Sequence, residues 1–264
     1  MVITMKNYLH KRKLELLSML VVLNIIIITW QFSGERSINV KLFVSTPIII
    51  FDYVLDNYPL VENSFIRTGT EALVGIIVSA SISILLTLVF FLWPKLLTIV
   101  YPWIVVSQVV PFVVLAPLTI VIFGEESIAG KISLSTIITF FPIMGNLVTA
   151  LKNIPHEELE VMTILDANKL NILRHTIIPN SLTYFYSGLK IAAPISVIGA
   201  VLAEFSGADI GIGKDIFTAG NKLEADKQIT GIINSMLLAS IIYFLVVLVE
   251  SRHGKWYRGV KNND

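Results

Sequence analysis

Charged residues disappear from this sequence over long intervals. Five stretches contain no Asp, Glu, Lys or Arg: Leu16–Gly34, Ala72–Pro94, Leu96–Gly124, Ile132–Leu151 and Gln228–Val249. Each is near or above the roughly 20 residues an α-helix needs to cross a bilayer. A sixth stretch, Leu182–Ala203, is interrupted only by Lys190. Its uncharged remainder, Ile191–Ala203, is too short alone, so Lys190 belongs inside the helix near one bilayer face, where its amine can snorkel. In the third stretch Pro102, Pro111 and Pro117 predict an interfacial helix, a break and a crossing helix. The pattern is that of an all-α polytopic membrane protein. It predicts a single membrane domain over 1–264 with six spans, about 14–33, 69–93, 109–124, 131–151, 182–203 and 228–250.

One segment, 152–180, breaks the rule. Pro155 fits a first helical position, and Glu157 and Glu158 fall in the first turn, where they complement the helix dipole. Leu159, Met162 and Leu165 then recur at one-turn spacing and Asp166 interrupts them. Asn168 can cap a second short helix with Leu170, Leu173 and Ile177 on its apolar face, and Pro179 is expected to end it. On periodicity alone two readings stand: an interfacial loop resting on headgroups, or a handle for another protein.

Composition agrees with the membrane reading: 55% hydrophobic, 15% charged, mean hydropathy +0.77. A net charge of only +1 gives no field for nucleic acid. Cysteine is absent, which removes thiol chemistry and leaves the redox compartment undetermined. The N-terminus has the basic start of a signal peptide, but its apolar run is too long and lacks a small-residue cleavage site, so it reads as an uncleaved span. Lys6, Lys11, Arg12 and Lys13 precede the first span, and Arg252, Lys255, Arg258 and Lys261 follow the last. Both termini are therefore expected in the cytoplasm, with the acidic loops around Glu35–Glu62 and Glu125–Glu126 outside and 152–180 inside.

The order Glu160, Val161, Met162, Asp166, Ala167, then "NILRHTIIP" to Pro179, resembles the cytoplasmic signature loop of ABC importer permeases. In that family the loop reads Glu-Ala-Ala, three residues, then Gly; here Val161 and Met162 replace the alanines and Asp166 the glycine. Asp tolerates the left-handed backbone such a turn requires. The likeness extends to "SLTYFYSGLKIAAPISVIGAVLAEFSGADIGIG" and "VVPFVVLAPLTIVIFG", and to Thr68 and Gly75, with Glu71 where an arginine is usual. These resemble the nitrate, sulfonate, taurine and thiamine-precursor permeases over roughly 60–250.

The resemblance implies a non-catalytic subunit of the bacterial inner membrane. Its partners would be cytosolic ATPase subunits, which use the ATP, an extracellular or periplasmic binding protein, and a second copy forming a homodimer. This chain would hold no cofactor or metal. Glu160, Val161, Met162, Asp166, Ala167 and Pro179 would couple it to the ATPase. Candidates for the translocation path, chosen as polar or helix-breaking residues in the spans, are Gln108, Pro111, Asn146, Ser196 and Glu204. "GADIGIGKD" lacks the first glycine and the Ser or Thr of a phosphate loop. Two further classes stay open at this point: a membrane scaffold recruiting a cytosolic partner through 152–180, and an intramembrane enzyme, for which no reactive constellation is evident.

Overall fold

The computed structural model describes residues 18, 21, 22, 24–32, 45–124 and 126–261, with 120 and 253–261 described by backbone alone. Most of the predicted first span, its basic flank, Glu35, Arg36, Lys41, Glu125 and the side chains of Lys255, Arg258 and Lys261 lie outside the described residues. The helices are α1 (Pro47–Asp56), α2 (Tyr58–Leu92), α3 (Pro94–Ser107), α4 (Phe112–Phe123), α5 (Ile128–Lys152), α6 (His156–Ile164), α7 (Lys169–Ile172), α8 (Ile178–Ser206), α9 (Ile212–Lys222) and α10 (Ala225–Lys261). A π-helical turn, Leu173–Ile177, joins α7 to α8.

Among the described residues, four helical runs are long and apolar enough to cross a membrane: Tyr58–Leu92, Ile128–Lys152, Lys169–Ser206 and Ala225–Arg252. The pair α3 and α4, bent by 90° at 108–111, is apolar enough only when taken together, as one broken span or a re-entrant loop. That break is the one expected from Pro111, which can donate no hydrogen bond to the preceding turn.

The chain divides into two compact units. In the smaller, the described residues of Met1–Val61 and Ile216–Ile232, residues 24–32 are helical and Ser45 donates to Asp226 at 2.6 Å. The larger unit, Glu62–Asp215 and Ile233–Asp264, carries the residues of interest. Its interior inverts the rule of water-soluble helices. The inward face of α2 carries Thr68, Ala72, Gly75, Ser79 and Ser83 at turn spacing, while Ile77 and Leu85 are left outside. Lipid is as apolar as leucine, so large residues gain little by hiding, and small inward residues instead let backbones approach.

The tightest seam is that between α5 and α8, the most extensively packed pair of helices. A Cβ on Gly188 would lie 2.9 Å from the Ile143 Cα, and one on Gly199 would lie 2.7 Å from the Ser135 Cα. Ala192, Ala193 and Ala200 are fully buried along the same helix. Ser135 donates to the Ser196 carbonyl at 3.0 Å, closing the seam with a hydrogen bond. On either side, Ala116 of α4 meets Leu134, Ile138 and Ala203, and Phe90 of α2 meets Met144 and Val148.

Candidate functional site at the two ends of α8

At its N-terminal end α8 is continuous with the polar loop. α6 ends in a reverse turn: the Asp166 amide donates to the Thr163 carbonyl and the Ala167 amide to the Met162 carbonyl, both at 3.0 Å. This paired closure needs a left-handed residue at the position after the cap, and Asp166 supplies it with φ of 49°. Asn168 then caps α7, its side-chain oxygen accepting from the Asn171 amide at 2.9 Å. Both features agree with the sequence-based expectation.

Pro179 does not. It was expected to terminate the second short helix, yet helix runs without a stop from Lys169 to Ser206. The reason lies one turn earlier. A proline inside a regular helix would clash with the carbonyl four residues back. The wider turn at Leu173–Ile177, where the Ile178 amide donates to the Leu173 carbonyl, coincides with that position and lets the helix pass.

The loop's outer surface is apolar at its tip. Val161, Ile164, Leu165 and Leu170 are all exposed, Ile164 at 83%. Met162 and Ala167 are half-buried beneath them. Glu160 is exposed and has no partner among the described residues. The carboxylate that fixes the loop within the chain is its neighbour Glu158, which accepts from the Asn180 side chain at 2.6 Å across the reversal. Asn180 also donates to the Thr176 carbonyl at 2.9 Å, so α6 is tied to the first turn of α8. Sequence reasoning missed Asn180; its position directly after Pro179 was the available signal.

At the other end of α8, Glu204 is 1% exposed. One carboxylate oxygen accepts from the Thr68 hydroxyl and the other from the Gly213 amide, each at 2.6 Å. The Thr68 oxygen in turn accepts from the Ile212 amide at 2.9 Å. Two side chains, one from α2 and one from α8, thus hold the first two amides of α9, donors that no helical carbonyl can satisfy. The approach is so close that glycine is required. A Cβ on Gly211, whose φ is 152°, or on Gly213 would collide with the Glu204 side chain. Beside this latch Glu71, fully buried, pairs with Arg67 at 2.9 Å. Ser64 donates to Asp215 at 2.6 Å, adding another tie between α2 and α9.

The remaining path candidates separate by environment. Gln108 and Pro111 are exposed in the break between α3 and α4. Ser196 is fully buried and donates to the Ala193 carbonyl, and Asn146 donates to the Pro142 carbonyl at 2.8 Å. Lys190 does not reach out alone as its sequence context suggested: its amine sits 3.0 Å from both oxygens of Glu250 on α10. Among the described residues no group of acidic or imidazole side chains could hold a metal ion.

Long apolar spans, a small-residue seam and an exposed helical loop leading into one span define a multi-span membrane protein. Residues 94–255 match the family described as the inner membrane component of binding-protein-dependent transport systems. The chain belongs to that family: it is the permease subunit of an ABC importer and a multi-pass protein of the inner membrane. It is 32% identical over 207 residues to the formylaminopyrimidine transport permease protein ThiX of Halalkalibacterium halodurans, covering 77% of this chain and 81% of that one. It is 24% identical over 235 residues to the putative aliphatic sulfonates transport permease protein SsuC of Bacillus subtilis, covering 88% and 84%. A chain of the inward-facing MetNI methionine ABC transporter shares the fold, with a TM-score of 0.59 and 20% identity over 73% of this chain and 93% of that one.

Proposed function

We propose that the loop 152–180 is the seat of a cytosolic ATPase, and that this chain, paired with a second copy, forms the path for a small organic solute or anion handed over by an external binding protein. The observation that carries this reading is the exposed apolar knuckle Ile164–Leu165 at the Asp166 turn, just before the helix that runs without a stop from Lys169 to Ser206. Such residues, exposed beside an acidic flank of Glu157, Glu158 and Glu160, fit the apolar centre and polar rim of a protein interface. ATP hydrolysis belongs to the partner; this chain contributes the lever. Asp166 and Ala167 shape the turn that meets the ATPase, Val161 and Met162 fill the contact, Glu160 reaches a basic group on the partner, and Pro179 with the π turn sets the angle at which α8 leaves the loop. Movement of the ATPase pair would tilt the spans joined to the loop and switch access between the two sides. Gln108 and Pro111, at the open break, are the stronger path candidates because Asn146, Ser196 and Glu204 have partners within the chain.

The test is purification with the ATPase of the same transport system, followed by reconstitution. Ile164→Asp with Leu165→Asp should abolish co-purification while leaving the permease folded, and Glu160→Lys should leave ATP hydrolysis uncoupled from uptake. Retention of the ATPase by the double variant would sink the proposal.

A further inference from the structure

The Glu204 latch has a second carboxyl against it. Glu71 of α2 is fully buried, as is Glu204 of α8, and the two side chains lie within hydrogen-bonding distance of each other. Three of the four carboxyl oxygens have donors. Glu71 Oε1 accepts from Arg67 Nε at 2.9 Å, and the two Glu204 oxygens accept from the Thr68 hydroxyl and the Gly213 amide. The fourth, Glu71 Oε2, is buried and has no hydrogen-bond partner among the described residues. This differs from an unmet serine hydroxyl. An ionised carboxyl is an acceptor only, and this one touches a second carboxyl that is also an acceptor only. Two such groups in contact repel, and the arrangement is stable when one of them is protonated. The surrounding charges do not take the place of that proton. On α2, Arg67 is engaged with Oε1. On α5, Lys131 is 4% exposed and stands near both carboxyls, yet it gives Oε2 no hydrogen bond. Asp209, in the turn after α8, is exposed and adds negative charge. On α9, Lys214 donates to the Asp209 carbonyl and Asp215 accepts from Ser64.

We infer that Glu71 and Glu204 form a proton-binding site, in which one proton is held on Glu71 Oε2 and donated to Glu204, and that α9 is released from its latch when this proton leaves. With the proton in place each of the four oxygens either accepts from a donor or is one. Its loss puts two negative charges in contact where water is excluded. The repulsion is relieved when Glu204 withdraws, and the withdrawal deprives the Thr68 hydroxyl and the Gly213 amide of their acceptor. The sign of the pH dependence follows. In the open form water reaches both carboxyls and both ionise at neutral pH. The closed latch therefore binds one more proton than the open one, and it weakens as pH rises. The inference does not depend on the ATPase proposal, since it concerns a joint within the chain itself.

The experiment exploits the absence of cysteine, which makes one introduced thiol unique. Ile212→Cys places it behind the latch at a position 1% exposed, and Ile210→Cys, at a position 44% exposed, is the reference. Each full-length variant is placed in lipid nanodiscs, and its rate of labelling by a maleimide is followed as pH is raised. The ratio of the two rates cancels the ionisation of the thiol. Between about pH 6 and pH 8 that ratio should rise about tenfold per pH unit, the slope for release of one proton on opening. Glu71→Gln keeps an acceptor for Arg67 and turns an N–H towards Glu204, so it imitates the protonated carboxyl. In that background the ratio should stay flat. Infrared spectra of the unaltered protein at neutral pH should also show the carbonyl band of a protonated carboxylic acid, and Glu71→Gln should lack it. A flat ratio in the otherwise unaltered chain, or the same slope in the Glu71→Gln background, would overturn the inference. So would a neutral-pH spectrum without a protonated carboxyl, a reading that requires no variant to fold.

Discussion

Replacing Glu204 tests whether it latches α9 or lines the path. Its two oxygens hold the Thr68 hydroxyl and the Gly213 amide at 2.6 Å in a site where the glutamate is 1% exposed. Glu204→Ala strands both donors. Each unmet buried donor costs about 1–3 kcal/mol, and loss of the side-chain methylenes adds a cavity, for a total of about 3–5 kcal/mol. At roughly 2–4 °C per kcal/mol for a chain of this size, the unfolding midpoint should fall by about 10 °C. Glu204→Gln preserves the shape, but its amide can accept from only one donor and turns an N–H towards the other, so about half the loss is expected. Gly213→Ala attacks the same joint from the opposite side, because its Cβ would lie 2.9 Å from the Glu204 Cβ. The assay is thermal unfolding of the purified protein followed by tryptophan fluorescence and size-exclusion elution. If both Glu204 variants melt with the unaltered protein while transport is lost, Glu204 is a path residue and the latch is wrong.

Other joints give sharper or weaker responses. Gly199→Val should cost at least the 1–3 kcal/mol typical of overpacking, because its side chain would meet the Ser135 backbone; yield of folded protein after solubilisation is the measure. Asp166→Gly should leave stability within about 0.5 kcal/mol or improve it, whereas Asp166→Val should cost about 1–2 kcal/mol at the left-handed turn and reduce ATPase retention. Lys190→Met should destabilise by about 1–2 kcal/mol by leaving Glu250 unpaired, a figure reduced for the quarter or so of each side chain that is exposed, and Lys190→Met with Glu250→Met should recover most of it in a double-mutant cycle.

Much of the architecture was legible because lipid imposes a simple rule on sequence: long uncharged runs become spans, and polar periodicity marks what leaves the membrane. The Asp166 turn and the Asn168 cap were legible for a local reason, since each is decided by residues within one helical turn. What could not be read depended on partners distant in sequence. The partner of Glu204, Thr68, lies 136 positions earlier and could not be read from its sequence context. Lys190 looks like a snorkelling amine until Glu250 arrives from the last helix. Pro179 was misread for a different reason. Its helix-breaking tendency is real, but a wider turn just upstream relieves the clash, and no residue type announces a π turn.

That continuity has a mechanical consequence. α8 is 29 residues long, about 43 Å at 1.5 Å per residue, and it carries the loop at one end and the Glu204 latch at the other. Between them its small-residue face is locked against α5 by backbone-distance contacts at Gly188 and Gly199. A push on the knuckle therefore cannot be absorbed by a flexible hinge at Pro179, as a broken helix would have allowed. On the proposed seating it would move α5 and α8 together, and the element at the far end that would resist is the pair of hydrogen bonds that the Ile212 and Gly213 amides of α9 donate to Thr68 and Glu204. Inserting two glycines between Ile177 and Ile178 would separate the alternatives. A lever that works by rigidity should lose coupled transport while keeping ATPase binding and the Glu204-dependent melting temperature, whereas unchanged uptake would mean that the loop acts on the spans by some route other than α8.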